Sequence, residues 1–198
     1  MSVGNTRDVT AASVDDRRDE LRITVTPAAP GRQLVRAALP LPRGLLQDGQ
    51  TLVVRDGQRD ITASLRPLTR HPGEGAGSGS VRRALVTFPY AFTDEAPVRF
   101  ALRPAPAAAR DAPSLPVRVR VYGEIVTVAY RDGPRMRARL LAPARTSDEE
   151  PRTDIIESNA HFHWQRVRLP DAQWPRVIEV RADALGQVVV IAHLQRNP

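Results

Sequence analysis

Short segments of alternating apolar and polar residues recur along the chain, and turn-forming residues separate them. The segments LRITVT (21–26), TLVVRD (51–56) and VRVRVYG (117–123) show the pattern, being rich in Val, Leu, Ile or Thr. A two-residue period places successive side chains on opposite faces, as in a half-buried β-strand. No segment keeps a helical period for more than two turns. We therefore expect an all-β protein of about eleven to thirteen short antiparallel strands, folded as a barrel or a sandwich.

Tight-turn sequences lie between several of these segments. The stretches RDGQ (55–58) and RDGP (131–134) carry Asp-Gly, and ALG (184–186) marks a third turn. Asp-Gly predicts a β-hairpin, because the turn needs a residue that accepts positive φ. The run VVVIA (188–192) lacks alternation, which favours a strand buried on both faces.

The composition changes along the chain and suggests its organisation. Residues 1–20 are polar and are expected to form a flexible N-terminal arm. We predict a β-barrel lobe over 21–103, a Pro/Ala-rich connector over 104–116, and a second β lobe, or the completion of the barrel, over 117–198. The polar stretch 145–154 predicts a solvated loop.

The charge of the chain comes from arginine alone. Its 29 basic residues include no Lys and outnumber 22 acidic residues, for a net charge of +7. Such a complete absence of Lys is typical of a GC-rich coding sequence, so the charge permits an acidic partner without requiring one. The chain has no Cys, which excludes a disulfide framework, a thiolate nucleophile and a cysteine metal site.

Neither a membrane span nor an export signal is visible in the sequence. No apolar run approaches the roughly 20 residues that cross a bilayer. Residues 1–20 lack a basic region followed by an apolar one, so we expect no signal peptide in this chain. We predict no membrane partner and leave the compartment open, since a longer parent protein could be exported.

Arginines occupy alternate positions in two of the predicted strands. Arg118 and Arg120 share one face of the first strand, and the intervening valines share the other. Arg135, Arg137 and Arg139 share one face of the second. If these strands are neighbours in a sheet, the five guanidinium groups form a basic stripe for a uronic-acid polymer, a nucleic acid or an acidic partner domain. The alternative is simply the solvated face of a half-buried sheet.

An enzyme centre would have to use His161, His163 and Glu157. On a strand the two histidines would face the same side, and a His-x-His pair can share a metal. A cupin-like site would continue with Glu about four residues after the second His, where the chain has Val167. Nucleophile motifs and a phosphate-binding P-loop are also missing. We therefore predict no catalytic residue, no metal and no cofactor in this chain.

The N-terminal half also resembles a known family. Its LPLPRG corner (39–44), the hairpin from Thr51 to Leu65 and the strand VRRALVTF (81–88) are similar to the N-terminal β-barrel domain of exo-rhamnogalacturonan lyase-like proteins, a RIFT-type barrel. The resemblance implies a RIFT-like fold, and it implies that a following helical domain of the same polypeptide carries the catalytic machinery. A chain that ends at Pro198 directly after a strand fits a domain of a longer polypeptide.

The resemblance, taken with the arginine pattern, implies a non-catalytic accessory domain. It would pack against a catalytic domain of a carbohydrate-active, lyase-like protein and contact an acidic polysaccharide through the five arginines. The alternative is a structural or protein-interaction scaffold that binds no sugar. With only nine aromatic residues and no RNA-binding signature, the sequence does not favour nucleic acid as a partner.

Overall fold

The chain folds entirely into β-structure, as the sequence predicts. A computed structural model describes residues 8–12 (backbone only), 20–57, 59–72, 79–107, 115–140 and 147–196. These residues form fifteen strands and no helix. Accordingly, the described residues contain no helix long and apolar enough to cross a membrane. The chain divides into two compact units, Met1–Asp111 and Ala112–Pro198.

The first unit contains two antiparallel sheets. Its strands are β1 (Asp8–Ala12), β2 (Leu21–Thr26), β3 (Gly31–Pro40), β4 (Gln50–Asp56), β5 (Arg59–Ile61), β6 (Ser64–Arg70), β7 (Val81–Phe92) and β8 (Val98–Pro106). One sheet has the order β1-β2-β8-β4-β5, and the other has the order β3-β7-β6. Within the described residues neither sheet closes into a barrel, so the barrel is not confirmed, and the arrangement is consistent with a sandwich.

Both sheets of the first unit contribute to one apolar core. Along β2, Leu21, Ile23 and Val25 are buried while the residues between them are more exposed, which is the predicted alternation. Phe88 from one sheet meets Phe100 from the other edge-on, with ring centroids 5.3 Å apart. Burying side chains of this size stabilises the fold by roughly 1.5–3 kcal/mol each.

The Leu-Pro-Leu-Pro-Arg-Gly segment forms the corner that follows β3. Ladder pairing ends at Pro40, and the Leu41 N–H then donates to the Arg82 carbonyl at 2.8 Å. Gly44 has φ of +85° and its N–H donates to Ser80 Oγ at 2.9 Å. The corner is therefore a structural turn fixed by backbone geometry.

The second unit also contains two antiparallel sheets. Its strands are β9 (Val117–Tyr122), β10 (Ile125–Tyr130), β11 (Arg135–Arg139), β12 (Arg152–Ser158), β13 (Phe162–Leu169), β14 (Arg176–Asp183) and β15 (Val188–Leu194). Their orders are β11-β10-β9 and β12-β13-β14-β15. Val126 and Val128 of the smaller sheet join Leu169, Ile178 and Val180 of the larger one in a shared core.

The strand count exceeds the predicted eleven to thirteen. β1 lies within the segment predicted as an arm, and the apolar segment at 60–67 is divided between β5 and β6. β12 begins at Arg152, inside the predicted loop 145–154, and β8 extends through Pro106 into the predicted connector 104–116. Pro106 pairs with Gln50 at the end of the ladder, where proline costs the fewest hydrogen bonds. Residues 108–114 of the connector lie outside the described residues.

The hairpins are confirmed, but the expectation of burial for the run at 188–192 is wrong. Sequence-adjacent strands pair at all three predicted turns, β4–β5, β10–β11 and β14–β15. β15 pairs only with β14 among the described strands, and Val189 and Val190 are 39% and 42% exposed. An uninterrupted apolar run does not show whether a strand lies at the centre or at the edge of its sheet, because that depends on pairing with distant segments.

Candidate functional site

The five candidate arginines lie on one face of the three-stranded sheet of the second unit. β10 separates β9 from β11, so the two arginine-bearing strands are not direct neighbours. Arg118 and Arg135 both lie opposite Ala129, and Arg120 and Arg137 both lie opposite Thr127. Residues opposite one another in an antiparallel ladder share a face. The register therefore brings all five guanidinium groups to the same surface.

We call this surface the arginine face. Its members are Arg118, Arg120 and Tyr122 of β9, Ile125, Thr127 and Ala129 of β10, and Arg135, Arg137 and Arg139 of β11. Because neighbouring strands lie about 4.8 Å apart, the two rows of arginines are about 10 Å apart, and arginines within a row are about 7 Å apart. The shorter β10 side chains form the floor between the rows.

The arginines of this face are exposed and carry uncompensated charge. All five side chains are exposed to solvent. Among the described residues, none of them forms an ion pair or a side-chain hydrogen bond with another group. Five like charges on one small sheet create a local positive potential.

Tyr122 is a member of this face that the sequence reasoning missed. Its side chain is 85% exposed, and it lies opposite Ile125, next to Arg120 along the face. A tyrosine this exposed has almost no role in the core, although its ring is available to stack on a ligand. Tyr122 follows Arg118 and Arg120 at the same two-residue spacing, and this spacing in the sequence could have identified it.

The opposite side of the sheet supports the arginine face. Val117, Val126 and Val128 are buried against the larger sheet, so the alternation of β9 and β10 forces their intervening residues outward. Among the described strands β11 lies at the edge of its sheet, and it is exposed along its whole length. The floor and the β9 row are thus more firmly held than the β11 row.

Other arginines of the second unit are already bound to carboxylates. The fully buried Arg176 donates from Nη1 to Glu124 Oε1 at 2.6 Å. Arg166 donates to Glu179 Oε1 at 2.7 Å, and Arg181 donates to the second oxygen at 3.2 Å. Hydrogen bonding from Arg166 is the main cause that lowers the pKa of Glu179. These arginines have carboxylate partners within the fold, in contrast to those of the arginine face.

The histidines and Glu157 do not form a common centre. The prediction that both histidines lie on one strand is wrong. His161 lies in the turn before β13, and only His163 lies on that strand. A bulge in β12 places Glu157 opposite Trp164, on the face away from His163. Glu157 accepts a hydrogen bond from Asn159 at 2.9 Å, and His163 lies 3.3 Å from Ser158 Oγ. Among the described residues no group of three His, Asp or Glu could hold a metal ion.

Comparisons with known proteins identify neither a family nor a function for this chain. No family model, curated protein or solved structure gives a significant match to the chain. The resemblance to the RIFT-type domain of rhamnogalacturonan lyase-like proteins therefore stays a prediction that rests on the residues quoted for it.

Proposed function

We propose that this protein is a non-catalytic binding module of a larger carbohydrate-active, lyase-like protein, and that its arginine face binds an acidic polysaccharide. The observation that carries the proposal is the alignment on one sheet face of an exposed tyrosine and five exposed arginines that have no partner among the described residues. The catalytic residues would belong to a separate domain that follows in the same polypeptide. The resemblance of the first unit to a RIFT-type domain supports the same placement.

The shape of the face favours a chain with repeated negative charges over a single small anion. Two rows of guanidinium groups about 10 Å apart border a floor of short side chains. A linear polymer lying along the floor would meet arginines on both sides, and each planar guanidinium can pair with a carboxylate in bidentate geometry. Several weak exposed contacts then add up to useful affinity.

The aromatic content of the face favours a uronate polymer over a single-stranded nucleic acid. Nucleic-acid grooves of this kind stack successive bases on several aromatic side chains. The arginine face offers one ring, Tyr122, among nine positions. Carboxylate pairing with arginine needs no stacking platform, so the face is better suited to polygalacturonate.

Binding of polygalacturonate at two salt concentrations tests this proposal. We expect wild-type protein to bind in about 50 mM salt and to weaken strongly in about 200 mM salt, because counterion release drives such association. Replacing four arginines with Gln removes charge while keeping hydrogen-bonding side chains. This variant, R118Q/R120Q/R135Q/R137Q, is expected to bind at least tenfold more weakly, measured by titration calorimetry.

A matched control separates the arginine face from general charge. The control removes four exposed arginines that lie elsewhere: R32Q/R82Q/R83Q/R152Q. We expect it to keep most of the binding. Equal losses in the two variants, or tighter binding of oligothymidine than of polygalacturonate, would contradict the proposal.

An edge of the larger sheet supports the alternative function, a protein-interaction scaffold without sugar binding. β15 has one neighbour among the described strands and exposes Val189, Val190 and Leu194. Exposed apolar side chains on an edge strand are a common feature of interaction surfaces. No binding of polygalacturonate in low salt would favour this alternative.

A further inference from the structure

A second cluster of arginines surrounds a groove on the first unit. The groove lies on the outer face of the five-stranded sheet, over β2, β8 and β4, and has a volume of about 370 Å³. Its charged lining consists of Glu20, Arg22, Arg55, Arg99 and Arg103. This size falls at the lower end of the range of small-molecule sites.

Ala101 lies at the centre of the groove floor. Arg22 of β2 and Arg55 of β4 both lie opposite Ala101 of β8, one on either side. Arg99 and Arg103 lie two residues before and after Ala101 on the same strand, so they share its face. The long side chains of the four arginines therefore surround the short side chain of Ala101, and this sheet register forms the groove.

Two carboxylates hold three of these arginines in place. Arg103 Nη2 lies 2.5 Å from Glu20 Oε2, and Arg22 Nε lies 3.1 Å from Glu20 Oε1. The Glu20 side chain is 13% exposed, whereas those of Arg22 and Arg103 are 54% and 52% exposed. The carboxylate thus lies beneath the two guanidinium groups, which remain open to solvent.

The third arginine is held at the other edge of the groove. Arg55 donates to both oxygens of Asp60, at 2.7 and 3.2 Å. Hydrogen bonds from Arg103 and Arg22 lower the pKa of Glu20, and the bond from Arg55 lowers that of Asp60. Both carboxylates are therefore ionised at neutral pH and at pH values somewhat below it.

Arg99 is the fourth arginine of the cluster. Its side chain is exposed and forms no ion pair or side-chain hydrogen bond with any other described residue. Among the described residues, the four guanidinium groups of the cluster outnumber the two carboxylates that bind three of them. Each guanidinium carries five N–H donors, so the donors greatly outnumber the oxygens of two carboxylates.

We propose that this groove binds a compact dianion, a phosphate monoester or free phosphate, with Arg99 as the direct ligand and Arg22, Arg55 and Arg103 around it. An excess of guanidinium groups over carboxylates favours an anion with more than one negative charge, and preorganised planar donors match tetrahedral oxyanions. The volume leaves room for a small organic group on the phosphate. The site lies in the first unit and does not depend on the function proposed for the arginine face.

Titration with inorganic phosphate, glycerol phosphate and sulfate tests the site in the full chain. We follow the side-chain Nε–Hε resonances of arginine by NMR and expect saturable shifts with all three anions at neutral pH. R99Q is expected to weaken binding at least fivefold. The matched control R82Q removes an exposed arginine from the other sheet and is expected to leave binding unchanged. Tighter binding of glycerol phosphate than of phosphate would identify an ester as the ligand.

A pH series separates dianion recognition from general attraction. A phosphate monoester loses its second charge around pH 6 and inorganic phosphate about one pH unit higher, whereas sulfate keeps both charges. Among the described residues, the charged groups that line the groove are the four arginines and Glu20, and Asp60 is bound to Arg55 beside it; hydrogen bonds from arginine lower the pKa of both carboxyl groups, so neither gains a proton as the pH falls through the range in which phosphate does. We therefore expect phosphate binding to weaken several-fold from pH 7.5 to pH 5 while sulfate binding stays constant.

Three results would overturn the proposal. They are the absence of saturable shifts, equal losses in R99Q and R82Q, and parallel pH dependence of phosphate and sulfate. Polygalacturonate binding should be unchanged in R99Q, so failure of this site and failure of the arginine face can be distinguished.

Discussion

At the scale of single residues, arginine has two different roles in this protein. Arg176 is fully buried and bound to Glu124, whereas Arg118 is exposed and has no partner among the described residues. Both residues occur in similar Val-rich segments. Burial decides between the roles, since a buried charge requires a partner and an exposed one does not.

The Arg176–Glu124 pair makes the clearest prediction for stability. Glu124→Gln removes the negative charge while the guanidinium stays buried, so we expect a loss of about 3 kcal/mol in the free energy of unfolding. Chemical denaturation monitored by circular dichroism measures it. Glu150→Gln, an exposed substitution of the same kind, is the control and should change stability by less than about 0.5 kcal/mol.

A double substitution distinguishes charge burial from simple loss of a contact. Replacing both partners with apolar residues, E124L/R176M, removes the need for a buried pair and should recover much of the stability lost in E124Q. A double variant less stable than E124Q would contradict this account of the pair.

At the scale of strands and turns, local chemistry explains most of what was predicted. Alternation in β2, β9 and β10 gave the correct buried faces, because the two-residue period is a property of the strand itself. The same reasoning failed for β15 and for the segment that holds His161. The burial of β15 depended on which strands pair with it, and the position of His161 depended on where β13 begins.

The turn between β9 and β10 provides a test at this scale. Tyr122 pairs with Ile125, so Gly123 and Glu124 form a two-residue loop, and Gly123 has φ of +54°. A Cβ at this position would meet no atom within 4 Å, so Gly123→Ala would cost only backbone strain. We expect about 1–2 kcal/mol of destabilisation in thermal or chemical unfolding.

Asp132→Ala in the neighbouring turn is the control for this substitution. Asp132 is exposed and has no positive φ, so it should change stability by less than about 0.5 kcal/mol. Similar values for the two variants would show that the turn conformation at Gly123 is not constrained as described.

At the scale of the whole molecule, the protein consists of two units, each with its own core. The first unit has a core that includes Phe88 and Phe100, and the second has one that includes Leu169 and Ile178. A unit with its own core and its own paired sheets meets the physical requirements for independent folding. Each unit also carries one of the two proposed anion sites.

Separate production of the second unit tests this independence. We expect residues 112–198 alone to show a β-rich circular dichroism spectrum and a cooperative unfolding transition. E124Q should lower the stability of this fragment by about as much as it lowers that of the full chain. A fragment without a cooperative transition would contradict the division into units.

The amino-acid sequence by itself determined the fold class, the three hairpins and the face on which each arginine of β9 and β11 lies. These features depend on the spacing of residues along one segment, which the sequence states directly. Only the tertiary structure decided that β10 separates the two arginine rows, that Tyr122 joins them, and that the β12 bulge turns Glu157 away from His163. The tertiary structure also places Arg22, Arg55 and Arg99 around Ala101. The physical reason is that strand order and register are set by pairing between distant segments, and local periodicity does not identify the partner.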